Sequence, residues 1–184
     1  MRFVVFALLL VVSPLIGAAT LWTGPTVSFT KPLNTPTSEQ YQDRISERVW
    51  ITRAVSGGGI YNARVESGYD FDDFSSPAGT EWAFGSTLAD GVESLTFLPW
   101  ADAVGRQPPG YVGVPGVMHL IEEDIYLDVR FTSWHIGSGG GFAYERSSPP
   151  VSPPVATQVP LLPGPAAVLL AATIIAAARR FTRT

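Results

Sequence analysis

The sequence of 184 residues contains no cysteine. This absence excludes disulfide frameworks, cysteine nucleophiles and zinc–thiolate sites. An exported domain of this size can fold without disulfides when its hydrophobic core is adequate. The stability of any folded part must therefore come from noncovalent interactions and not from disulfide cross-links.

Charged residues are also scarce, at 15% of the chain, whereas glycine (18) and proline (16) are abundant. Few charges and many turn-forming residues favour short strands joined by turns over long helices. Within residues 20–158, eight basic residues stand against all sixteen acidic residues, which gives this part a net charge of −8. An acidic surface disfavours nucleic acid and anionic lipid as partners.

The N-terminus has the three-part pattern of a secretory signal peptide. A short basic start at Met1-Arg2 precedes an apolar stretch from Phe3 to Ile16, and small residues end the pattern at Ala19. We predict export and cleavage by signal peptidase after Ala19, because the apolar run is short for a membrane-spanning helix.

The C-terminus predicts a spacer followed by a membrane segment. The stretch 147–160 is rich in serine and proline, which favours an extended, semi-rigid linker. The eighteen residues from Leu161 to Ala178 are mainly apolar, and as a helix they would reach about 27 Å, enough to cross a bilayer core. Arg179 and Arg180 then fix a cytoplasmic end by the positive-inside rule.

This tail resembles the C-terminal sorting signals of the PEP-CTERM and VPLPA-CTERM type found in Gram-negative bacteria. The resemblance covers roughly the last 26 residues and rests on the apolar helix, its terminal arginines and a proline-containing motif made of Val159, Pro160, Leu161, Pro163 and Pro165. It implies processing by an exosortase-like membrane protease and a link to extracellular polysaccharide. The predicted location is the cell envelope facing out of the cytoplasm, or the extracellular space after processing.

The residues between the ends predict a mainly β fold, a single antiparallel β-sandwich or jelly-roll-like domain. The strongest pattern runs from Ile125 to Phe131, where apolar and polar residues alternate, so that one face is buried and one is wet. Further strands are predicted in the following segments: Val117–Ile121, Arg48–Arg53, Thr26–Phe29, Ile60–Val65, Glu81–Phe84, Ser94–Leu98 and Phe142–Tyr144. One or two helical turns are expected within Ser38–Ser46. The chain is thus divided into a signal peptide (1–19), a β domain (20–146), a linker (147–160), a transmembrane or sorting helix (161–178) and a basic cytoplasmic tail (179–184).

Exposed tryptophans are the candidate ligand-binding residues. If the apolar residues of the two clearest strands face the core, alternation places Trp50 and Trp134 on the outer faces. His135 follows Trp134 at the end of a strand, where a histidine can act as a ligand or base. Aromatic residues are equally common as core filling in β proteins.

Acidic residues raise the question of metal binding. Asp70, Asp72 and Asp73 offer the hard oxygen ligands that suit Ca²⁺, but they do not match the twelve-residue calcium loop. Solvated loop carboxylates are the simpler interpretation, so we expect no cofactor, with Ca²⁺ as the alternative. The nucleophile-elbow pattern Gly-x-Ser-x-Gly is absent.

These observations lead to three hypotheses. The first is an exported, envelope-anchored or exosortase-processed structural or matrix protein without catalytic activity. The second is a carbohydrate-binding, lectin-like surface module, which requires a groove lined by exposed aromatic residues. The third is a secreted hydrolase, which requires titratable groups that converge in a pocket.

Overall fold

The computed structural model describes residues 19–151. In chain order, its regular elements are β1 Thr20–Trp22, β2 Val27–Lys31, β3 Asp43–Arg44, β4 Trp50–Arg53, β5 Ile60–Asn62, β6 Thr80–Phe84, α1 Trp100–Ala103, β7 Pro115–Leu120, β8 Ile125–Trp134 and β9 Phe142–Arg146, with four short 3₁₀ turns. The prediction of a mainly β domain with antiparallel sheets and few helices is confirmed.

The predicted end segments lie largely outside the described residues. Ala19 is described, and it is exposed directly before β1, whereas the rest of the predicted signal peptide is not. The predicted linker is described only to Val151, and the sorting motif, the apolar helix and the basic tail lie beyond it. Within 19–151, no helix has the length and apolar character needed to cross a membrane.

The larger sheet is built on a meander. The strands lie in the order β2-β9-β8-β7-β6, and all of these neighbours are antiparallel. β1 adds a short parallel pair beside the start of β8, where Thr20 is opposite Ile125. The alternation predicted for β8 is confirmed, because Leu127, Val129 and Phe131 are buried on one face.

The smaller sheet, β3-β4-β5, packs onto that face. Ile51 and Ile60 from this sheet are fully buried in the same cluster as Trp82 and Met118 of the larger sheet. Trp100 of α1 belongs to the same cluster. A single hydrophobic core therefore lies between the two sheets.

A buried ion pair joins the two sheets. The Arg146 guanidinium of β9 donates from Nε to Asp43 Oδ2 (2.7 Å) and from Nη2 to Asp43 Oδ1 (2.9 Å). The Tyr144 hydroxyl donates to the same carboxylate at 2.5 Å. Burial and the neighbouring carboxylate raise the pKa of Tyr144 well above its usual value, so the phenol stays protonated. Asp43 belongs to β3, so its contacts hold the short strand against the larger sheet.

One sequence-based assignment differs from the structure. Ser94–Leu98 forms no strand: Ser94 ends the 3₁₀ turn Val92–Ser94, and only Leu98 makes an isolated bridge, to Trp82. Pro99 lacks the N–H group that would extend this bridge into a ladder. The one or two helical turns expected within 38–46 are a single 3₁₀ turn, Glu39–Tyr41, which β3 follows.

Candidate functional site

A β-bulge near the end of β8 places Trp134 toward the core. Phe131 pairs with Tyr144, whereas Ser133 pairs with Ala143, so β8 has one more residue than β9 between these pairs. An extra residue reverses the alternation that follows it. Trp134 therefore packs against Phe131, with ring centroids 5.7 Å apart, and the expectation that it lies on the opposite face was wrong.

Trp134 forms part of the lining of a cavity of about 310 Å³. Four segments meet there: the β4–β5 turn, the loop before β6, the region from α1 to Pro109, and the turn after β8. Five aromatic side chains share in its lining: Tyr69, Phe71, Phe74, Trp100 and Trp134. We call this cavity the aromatic pocket.

The rings of the aromatic pocket form a connected, mainly edge-to-face arrangement. Tyr69 lies at the centre of one wall, perpendicular to Phe71 (4.9 Å between centroids) and nearly so to Trp100 (6.3 Å). Trp100 in turn lies 5.4 Å from Trp134. Such pairs prefer these offset geometries and hold each other in place. The walls are therefore preorganised by their own contacts.

The rim of the pocket is apolar and exposed. Phe71 is 62% exposed and Ile136 is 75% exposed, although both side chains adjoin the cavity. Exposed apolar side chains beside a cavity indicate an interaction site, because covering them with a ligand removes apolar surface from water.

Two glycines let the walls approach the backbone. A Cβ atom on Gly59 would lie 2.4 Å from Trp100 Cζ3 and 2.4 Å from Tyr69 Cε2. Gly58 has a φ of +85°, and a Cβ atom there would lie 2.7 Å from Phe71 Cζ. The Gly57-Gly58-Gly59 run is thus needed both for the turn and for the pocket.

Arg53 supplies a buried positive charge at the pocket. It is only 3% exposed, and its guanidinium lies 4.1 Å from the centroid of the Trp134 ring. Four backbone carbonyls accept from it: those of Gly58 (2.8 Å), His135 (2.8 Å), Gly141 (3.1 Å) and Gly137 (3.3 Å). Burial lowers the pKa of Arg53 to about 10, so the group remains charged at neutral pH.

Strained backbone occurs at two other residues of the pocket. Phe74 (φ +58°) and Arg106 (φ +59°) are both non-glycine residues in the left-handed region. Their side chains meet, with the guanidinium carbon 4.0 Å from the ring centroid. Such conformations cost free energy and cluster at functional sites.

The other predicted ligand-binding residues lie elsewhere. Trp50 is half-buried, and its ring is covered by Arg44 (4.1 Å) and approached by Arg64 (5.3 Å). His135 is exposed; it shares with Trp134 the lining of a neighbouring cavity of about 320 Å³, but it does not line the aromatic pocket. The structure therefore brings Trp134 and His135 to one cavity and leaves Trp50 apart from them.

The predicted metal ligands form a turn. The Asp70 carboxylate accepts from the Ser75 hydroxyl (2.7 Å) and from the backbone N–H groups of Asp72 (2.9 Å) and Asp73 (3.1 Å). These bonds, the Ser75 hydroxyl first, lower the pKa of Asp70 to about 2. Across residues 19–151, no three histidine, cysteine or acidic side chains come together as metal ligands would. Asp70 is thus the cap of a loop that carries Phe71 and Phe74.

Acidic groups elsewhere are engaged in structural contacts. His119 lies between Glu81 (2.8 Å from Nδ1) and Asp124 (3.2 Å from Nε2), and its ring is stacked on Tyr126 at 4.0 Å. In the turn between β7 and β8, the Glu123 carboxylate accepts from the Ser46 hydroxyl at 2.6 Å.

Sequence reasoning missed most of the pocket. Tyr69, Phe71, Phe74, Arg53 and Arg106 were not candidates, and their only signals were the aromatic spacing around Asp70 and the glycine and proline turns. These signals mark loops, but they do not say which loops meet.

In comparisons with protein families, with curated proteins and with solved structures, nothing matches this chain. Fold and site therefore define only a class: a mainly β domain with a preorganised, positively charged aromatic pocket.

Proposed function

We propose that this chain is an exported, envelope-anchored matrix protein without catalytic activity, whose β domain binds carbohydrate in the aromatic pocket. The observation that carries the proposal is the pocket itself, in which five aromatic side chains line a cavity of about 310 Å³. Ligand sites are concave and mostly apolar, with a few polar groups that fix orientation. Aromatic faces of this kind pack against the apolar faces of sugar rings.

The composition of the lining supports binding rather than hydrolysis. The described residues that line the pocket include two arginines and a tyrosine, but no carboxylate and no histidine. A glycosidase needs a pair of carboxyl groups across the bond to be cleaved. The exposed Phe71 and Ile136 at the rim add apolar surface that an extended chain of sugars would cover.

Export and anchoring are supported by the two ends of the sequence: a signal-peptide pattern before Ala19, and a tail that resembles exosortase sorting signals. Signal peptidase, an exosortase-like protease and the membrane are the partners that these features imply. The start of the predicted linker lies away from the aromatic pocket, which leaves the pocket accessible when the chain is anchored. The backbone N–H of Ser147, where this linker begins, donates to the Asp128 carbonyl (3.0 Å) on β8, six residues before Trp134. At about 3.4 Å per residue, the pocket and the start of the linker are separated by about 20 Å along the strand.

A glycan array probed with the full-length chain in detergent tests the binding function. Phe71→Ala and Trp134→Ala should each reduce binding at least about tenfold, because each removes a ring from the lining. Trp50→Ala is the matched control, since that ring lies on the other sheet under Arg44. Phe71 is exposed, so its truncation separates loss of binding from loss of folding. Absence of glycan binding, or equal binding by all variants, would reject the proposal.

Mass spectrometry of the mature protein from the envelope fraction tests the export route. We expect a new N-terminus at Thr20, the first residue of β1. Exosortase-type processing predicts that residues after about Pro163 are lost, whereas a retained tail would end at Thr184. An intact Met1 would contradict the predicted export.

A further inference from the structure

The aromatic pocket is lined by positive charge, although the domain as a whole is acidic. The region 20–158 carries a net charge of −8, yet the charged groups that line the pocket are Arg53 and Arg106. A buried charge without a partner is costly, and proteins normally pair it. Across residues 19–151, no carboxylate lies within ion-pair distance of Arg53, whose hydrogen bonds all go to carbonyl oxygens.

Lys31 is a second buried cation near the pocket that has no carboxylate partner within residues 19–151. Lys31 is 1% exposed and donates to the Thr35 carbonyl (2.6 Å) and hydroxyl (3.1 Å) rather than to a carboxylate. Burial, and then repulsion by Arg53, lower the pKa of Lys31. Lys31 adjoins the neighbouring cavity that shares Trp134 with the aromatic pocket. Two buried cations therefore lie near Trp134, and neither has an acidic partner within the described residues.

The two arginines of the pocket have hydrogen-bond donors that a ligand could use. A guanidinium has five N–H donors, and four carbonyl contacts are made by Arg53, so one donor is free for another acceptor. Arg106 is held only loosely by Asp102, at 3.4 Å, and its side chain is 58% exposed. A cationic ligand would be repelled by both arginines, whereas an anionic group would satisfy them.

We propose that the ligand of the aromatic pocket is an acidic polysaccharide, whose sugar rings pack on the aromatic walls while a ring carboxylate binds Arg53 and Arg106. This inference rests on the proposed carbohydrate-binding function and adds the chemical class of the sugar. An acidic protein surface repels polyanions in general, so such binding would be confined to the pocket.

Paired polymers test the role of the carboxylate. Polygalacturonate, alginate and hyaluronan are each compared with their carboxyl-reduced, neutral forms in calorimetric titrations of the full-length chain. We expect at least one acidic polymer to bind about tenfold or more tightly than its reduced form, because a charge-assisted hydrogen bond is lost. We also expect this preference to fall as salt is added.

A matched pair of variants tests the arginine. Arg106→Gln should reduce affinity for the acidic polymer about tenfold more than it reduces affinity for the neutral, carboxyl-reduced polymer. Arg130→Gln is the control, since Arg130 is similarly exposed (54%) and also paired with a carboxylate, that of Glu145. Unchanged thermal midpoints would confirm that both variants are folded.

The outcomes separate this inference from the function on which it rests. If neutral glycans bind through Phe71 and Trp134 but acidic ones bind no better, the acidic class is wrong and carbohydrate binding stands. If Arg106→Gln and Arg130→Gln behave alike, the role of Arg106 is overturned. If no glycan of either kind binds, both proposals fail together.

Discussion

Replacement of Asp43 by asparagine should destabilise the domain strongly. The substitution preserves shape but removes the charge that faces Arg146, which is 8% exposed. It also weakens an acceptor for the Tyr144 hydroxyl. Breaking a buried ion pair by removing one partner costs about 3–5 kcal/mol, because the other charge stays buried without compensation.

The loss can be measured by urea unfolding of the full-length chain, followed by tryptophan fluorescence. With a denaturant slope of about 1.5 kcal/mol/M, a loss of 3–5 kcal/mol lowers the midpoint by about 2–3 M. That is a large part of the stability of a domain of this size, which is about 5–15 kcal/mol.

Glu145→Gln is the matched control. Glu145 also belongs to β9 and pairs with an arginine, Arg130, at 2.8 Å, but this pair lies in solvent. Exposed pairs contribute about 0–1 kcal/mol, so the midpoint should move little. A double replacement, Asp43→Leu with Arg146→Met, should recover part of the loss, since apolar residues can replace a buried pair. Equal midpoints for Asp43→Asn and Glu145→Gln would refute the argument that burial makes the bridge between the sheets strong.

Two further predictions concern the loops of the pocket. Gly59→Ala should cost about 1–3 kcal/mol of unfolding free energy, because its Cβ would overlap the Trp100 ring, whereas Gly68→Ala, with nothing near its Cβ, should be neutral in the same urea assay. Asp70 should titrate in NMR near pH 2, and Ser75→Ala should move the titration toward the usual 3.8. Because the folded-state pKa is depressed, the contribution of Asp70 to stability is present above pH 3.8 and is lost as the pH falls through about 2; a normal titration would contradict the capped turn.

Local patterns in the sequence predicted much of the fold. The alternation predicted for β8 is found in the structure because successive side chains of a strand point to opposite faces, and one face of this sheet is buried. β7 and β8 were predicted as strands that are adjacent in the sequence, and they pair as a hairpin in which Leu120 is opposite Ile125. Short-range patterns therefore predict a strand well where every second side chain is buried.

Other elements depended on partners far away in sequence. β1 forms only because Thr20–Trp22 finds an open edge of β8 more than a hundred residues later. β3 is only two residues long, and its Asp43 meets Arg146 of β9. Neither contact leaves a trace in the local sequence, so neither element could be predicted from it.

The candidate site shows the same division. Trp134 was singled out from its sequence position, but the bulge in β8 changed the face on which it lies. Arg53 looked like an ordinary strand residue, and its burial against four carbonyls results from the meeting of two turns.

The amino-acid sequence by itself determined the β character of the domain, its many turns and its acidic charge, because composition and period-two burial act locally. It also carries the end segments on which the proposed export rests. Only the tertiary structure decided which loops converge, and so which aromatic rings and arginines share one cavity. The reason is physical: a pocket is made by contacts between segments distant in the chain, and side-chain periodicity within one segment contains no information about its neighbours in space.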